Sequence, residues 1–212
     1  MRSLAWTVLT LAALLAPTAA ARPAEPLDPG LRPGKDDVPG PFHPYNVVGG
    51  HEGKFHSPLS EHGLNPTVLV FVRGTEPSAA VVDLLKKLDA LVGRYPDLRA
   101  GALAVFLSDD ITDLLGEDDK REAEAKALHD KTGDFKHVEV SLDVPADVKD
   151  AFKLNDNAEV TVLYCNKLHV EIARAFAKGA LDAKAVQALV DEIGAKLDKM
   201  QAALSGRRRK KS

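Results

Sequence analysis

A single cysteine, Cys165, is all the sulfhydryl chemistry that 212 residues carry. No internal disulfide can form, so the fold must be held by its core. A body of about 150 residues is large enough to bury one. Beyond residue 16 no apolar run is long enough to span a bilayer, which needs about 20 residues. Aromatics make up 5% of the chain and no basic stripe is interleaved with them, so nothing points to a nucleic-acid-binding domain.

What is present begins with a leader. Arg2 supplies a positive start, residues 4–16 are apolar, and Ala19, Ala20 and Ala21 offer a small-residue cleavage site. That pattern predicts a signal peptide over residues 1–21 and export to a periplasmic or extracellular compartment, with no membrane span in the mature chain. The formal charge of the whole chain is −3. Losing Arg2 with the leader makes it −4. Setting aside Arg207, Arg208, Arg209, Lys210 and Lys211 leaves about −9 on the body, which is therefore acidic with a basic tail over residues 205–212.

Residues 22–45 contain Pro23, Pro26, Pro29, Pro33, Pro39, Pro41 and Pro44. Proline fixes φ and removes a donor, so this stretch is expected to be a flexible linker before a domain over residues 46–204. Residues 46–66 read as a transition, with Val47, Val48, Phe55 and Leu59 as anchors. Residues 67–72 form a continuous, β-branched apolar run, the mark of a central strand buried on both faces. Val81, Leu84, Leu85, Leu88, Leu91 and Val92 then recur at helical spacing, and Gly93 and Pro96 end that helix. Thr75 and Ser78 are the hydroxyls expected to cap it.

A second buried strand follows over residues 101–108, a spacing that suits one βαβ crossover. An acidic loop with a helical turn near Leu114 and a charged helix over 120–131 lead to a third strand over 137–142. A short helix over 146–152 comes next. Two further strands, over 159–165 and 168–176, meet at an expected Asn166-Lys167 hairpin turn. Asp182 caps a last helix whose apolar positions are Val186, Leu189, Val190, Ile193, Leu197, Met200 and Leu204. The predicted fold class is α/β: a three-layer sandwich on a mixed sheet, βαβαβ followed by ββα.

That order resembles the thioredoxin-like fold, nearest to its peroxiredoxin-like branch. The resemblance rests on the 67–72 strand with Gly74-Thr75-Glu76-Pro77-Ser78 after it, on residues 157–166, and on residues 177–182 before the last helix. It implies that a Cys-x-x-Cys pair or a peroxidatic cysteine should stand at the start of the first core helix. The dipole there favours a thiolate. This chain has Thr75 and Ser78 in those places, with Glu76 and Pro77 between them. A hydroxyl forms no disulfide, and without an adjacent base it is a weak nucleophile. The resemblance also implies a cis-proline before a later strand. Glu159 and Val160 stand there, and a cis bond before a non-proline costs about 3 kcal/mol, so a trans bond is expected.

The reading is therefore a redox-inactive binding or scaffolding module with a protein partner and no cofactor. The competing class is a thiol-dependent oxidoreductase or peroxidase-like enzyme using Cys165. At a strand end that thiol reads first as a small apolar filler. A third option is metal binding by the 43–62 loop, where His43, His51, His56 and His62 fall close together. Their spacings match no metal signature, and no metal ligands are assigned. Ser57-Pro58-Leu59-Ser60 has dithiol spacing with serines in place of sulfur, but such turns are ordinary in loops. Asp109, Asp110, Asp113, Glu117, Asp118 and Asp119 lack the spacing of a calcium loop.

Overall fold

A computed structural model describes residues 26–112 and 116–209. The leader, the turn near Leu114 and the last three residues of the basic tail lie outside them. The strands are β1 (Tyr45–Val48), β2 (Thr67–Arg73), β3 (Gly101–Leu107), β4 (Val138–Asp143), β5 (Ala158–Asn166) and β6 (His169–Ala177). The helices are α1 (Pro58–His62), α2 (Ala79–Val92), α3 (Asp118–Thr132), α4 (Pro145–Phe152) and α5 (Ala183–Arg209). One sheet holds all six strands in the order β1-β4-β3-β2-β5-β6. β2 pairs in parallel with β3, and β3 with β4, while β5 runs antiparallel to β2 and β6. This is the expected mixed sheet with one more strand, because β1 adds antiparallel to the β4 edge.

Alternation along the central strands divides the core in two. Val68, Val70 and Val72 point to the side packed by α2, α5 and Leu128 of α3. Leu69 and Phe71 point to the side packed by Leu59 of α1, Val148 and Phe152 of α4, and the N-terminal segment. β3 divides likewise, Ala102, Ala104 and Phe106 against Leu103, Val105 and Leu107. Strands covered on both faces lose their polar alternation, which is why residues 67–72 are continuously apolar. The helical stripe of α2 is buried as the spacing predicts: Val81, Leu84, Leu85, Leu88, Leu91 and Val92 all lie inside.

The proline-rich stretch is not a linker over its described part. Leu31, Val38 and Phe42 are buried in the second core, with Phe42 edge-on to Phe152 at 5.5 Å between ring centroids. Leu27 and Asp37 bridge to Ala175 and His169, and the backbone N–H groups of Gly34 and Val38 donate to the carbonyls of Val170 and Leu168. The prolines leave few donors to satisfy, and the apolar residues between them supply the packing. α5 continues into the basic tail as far as Arg209. The final hairpin turns one residue later than expected, at Lys167 and Leu168, whose φ angles are 54° and 69°. None of the helices among the described residues is long and apolar enough to cross a membrane.

Candidate active-site groove

At the C-terminal end of β2 the chain leaves the sheet through Gly74, whose φ of 85° is in the left-handed region that glycine enters freely. Its N–H donates to the Leu107 carbonyl at 2.6 Å, keeping this exit beside the end of β3. The chain then passes Thr75, Glu76 and Pro77 and enters α2. Of the two hydroxyls expected to cap it, Ser78 does so and Thr75 does not: Ser78 Oγ accepts the Val81 N–H at 3.3 Å. Pro77 stands just ahead of the cap, where its missing N–H costs no helical bond.

Thr75 and Glu76 border an open groove of about 540 Å³. Asn157, Ala158 and Glu159 form its opposite wall, and Ser108, Asp110 and Lys178 complete the rim. Arg73 crosses the floor. Its Nε donates to the Ala158 carbonyl at 3.2 Å and its Nη2 to the Asn155 carbonyl at 3.3 Å, tying the end of β2 to the loop before β5. Lys149 holds Asp156 of the same loop at 2.7 Å and draws that carboxylate below its ordinary value. Glu159 accepts the Gly179 N–H at 2.9 Å and closes the far corner. Lys131 of α3 reaches Glu76 at 2.6 Å. Every peptide bond among the described residues is trans, including the one before Val160. Val160 itself is buried opposite Val72 and does not line the groove. Neither cysteine nor histidine is among the residues that line it. The groove can hydrogen-bond and ion-pair, but its own side chains hold no thiol.

Cys165 lies at the other end of the sheet. It pairs with Thr67, the first residue of β2, and not with Arg73, the last. Six steps of about 3.3 Å put the thiol roughly 20 Å from the groove along the strand. The residue is 1% exposed, and its Sγ approaches the Thr67 carbonyl at 3.4 Å. Burial pushes the thiol up to about 11, beyond what the Thr67 contact offsets. Such a group is a poor nucleophile near neutral pH.

Ser57 and Ser60 are not a lost dithiol. Ser57 caps α1, accepting from the Ser60 N–H at 3.4 Å and the Ser60 hydroxyl at 3.1 Å. Of the four histidines, His51 and His56 converge, His62 turns away to Glu139 at 3.2 Å, and His43 is exposed on its own stretch of chain. Asp118 and Asp119 open α3, and Asp109 and Asp110 sit in a short 3₁₀ turn, so the acidic residues form no single described site.

No family model matches the chain, and no curated protein matches it either. Solved structures do. A Chlorobium tepidum protein described as a thiol:disulfide interchange protein, DsbE, aligns with a TM-score of 0.54 at 14% identity, over 78% of this chain and 99% of that one. The reduced 2-Cys peroxiredoxin of Plasmodium vivax gives 0.54 at 15% identity, over 80% and 96%. The yeast mitochondrial 1-Cys peroxiredoxin gives 0.55 at 11% identity, over 82% and 78%. At these identities the likeness is one of fold. The chain has a thioredoxin-like fold, with one cysteine and no Cys-x-x-Cys pair.

Proposed function

We propose that this chain is an exported thioredoxin-like domain that binds a polypeptide partner in the groove beside Thr75 and exchanges no electrons with it. One observation carries the reading: the helix tip holds hydroxyls, while the one thiol is buried roughly 20 Å away along β2. A disulfide needs two sulfurs within bonding reach, and thiol peroxidation needs an exposed thiolate. Neither condition is met at the groove. What remains is a walled, polar surface at the carboxyl ends of parallel strands, where open α/β sheets usually place their ligands. The leader pattern of residues 1–21 supports export, and mass spectrometry of the secreted product should find it starting at Arg22.

The test is consumption of hydrogen peroxide with dithiothreitol as reductant, by the full chain and by Cys165→Ser. The expected rate equals the uncatalysed background for both. A rate above background that Cys165→Ser removes would establish the peroxidase-like alternative instead.

A further inference from the structure

We propose that His51, His56 and Glu61 form a divalent metal site, of a kind suited to zinc, on the β1 side of the molecule and apart from the groove. The three residues follow one another at intervals of five and come from three different local structures. His51 lies in the turn after β1, His56 just past the Tyr45–Phe55 bridge, and Glu61 on α1. Yet one ligand atom from each falls within 4.8 Å of the others. His51 Nε2 is 2.5 Å from Glu61 Oε1, and His56 Nε2 is 3.1 Å from the same oxygen. The two rings stack with centroids 3.7 Å apart.

A tetrahedral zinc with bonds near 2.0–2.1 Å holds its donors roughly 3.3 Å apart. Two of the three separations, 2.5 and 3.1 Å, lie below that spacing and the third is within 4.8 Å, so each needs to change by roughly 1.5 Å or less. The imidazole rings must splay from their stack to aim both lone pairs at one ion, a rotation that half-exposed side chains make readily. Two imidazoles and a carboxylate are borderline donors, suited to zinc, with room for a fourth ligand.

Two features show that the site is built and not a chance meeting of surface groups. His56 Nε2 is shielded from solvent but has no hydrogen bond of proper geometry, although it faces Glu61. The backbone that carries the histidines is pinned. The His56 N–H donates to the Pro44 carbonyl, and the buried Asn46 amide donates to the carbonyls of His56 and Lys54 at 3.2 and 3.0 Å. Asn46 Oδ1 in turn accepts from Ser141 Oγ at 2.9 Å, anchoring the whole arrangement to β4.

The experiment is calorimetric titration of the full chain with Zn²⁺ alone, followed by His51→Ala, His56→Ala, Glu61→Gln and the control His43→Ala. One equivalent should bind, each site variant should weaken it at least tenfold, and the control should leave it unchanged. Long-range ¹H–¹⁵N spectra of the unaltered protein provide a readout that does not depend on variants folding. Zn²⁺ should shift the Nε2 signals of His51 and His56 and leave those of His43 and His169 in place. Absence of saturable binding, zinc heat that survives unchanged in His51→Ala and His56→Ala, or Nε2 shifts at other histidines would overturn the proposal.

Discussion

Exposing the native protein to an aromatic disulfide reagent at pH 7.5 should leave Cys165 almost unlabelled. Two routes to reaction exist, and the faster one sets the rate. In the folded route the thiol stays where it is, 1% exposed, with its pKa pushed from its ordinary value near 9 to about 11. That shift alone cuts the thiolate fraction about 100-fold, and the packing of Leu69, Leu163 and Val170 excludes a reagent of that size. In the open route β2 must separate from β5 at their Thr67–Cys165 end. This pairing is central in the sheet, so its opening approaches global unfolding, on the order of 5 kcal/mol or more. Each 1.4 kcal/mol is tenfold, so this route is slower than labelling of the unfolded chain by roughly a thousandfold or more. The assay compares absorbance traces in buffer and in concentrated urea. A native rate within tenfold of the unfolded rate would refute both the burial and the reasoning from it.

Asn46→Ala should destabilise the protein by about 2 kcal/mol, because it strands the Ser141 hydroxyl and the His56 carbonyl while the Lys54 carbonyl keeps the backbone N–H of residue 46, and urea denaturation will read the loss. Asp143, buried at the end of β4, is pushed up to about 7, first by burial and then by the neighbouring charge of Asp147, against the Val144 N–H that donates to it. A carboxyl raised in the folded state adds stability that is complete below its unfolded value and lost as pH rises through about 7. Melting temperature should therefore fall between about pH 4 and 7, and Asp143→Asn should flatten that fall; an equal fall in both proteins would contradict the assignment.

The central strands could be read as continuous β-branched apolar runs and the stripe of α2 as a 3.6-residue spacing, because burial on both faces removes polar residues while burial on one helical face repeats. Other elements were hidden by their own chemistry. The prolines of residues 26–44 signal extension, and only the sheet reveals that Leu31, Val38 and Phe42 have a surface to cover. β1 is four residues long and includes a buried asparagine, so it carries no strand pattern. Lys167 and Leu168 adopt left-handed backbone without the glycine or asparagine that usually marks it. At the groove, Thr75 and Glu76 were legible from their place after β2. Arg73 ends the same strand but drew no notice as a polar residue at a strand end, and although the resemblance marked residues 157–166 and 177–182, it is the pairing of β2 with β5 that sets Asn157 and Glu159 beside the groove. Glu61 was missed because the histidines were weighed without the carboxylate that follows at the same interval of five.

Catalysed reduction of insulin by dithiothreitol measures the central claim most directly, run side by side on the unaltered chain and on Thr75→Cys/Ser78→Cys. The unaltered chain should add nothing to the background, while the double variant, with sulfur restored at the tip of α2, should accelerate the reaction. Acceleration by the unaltered chain, abolished by Cys165→Ser, would contradict the account.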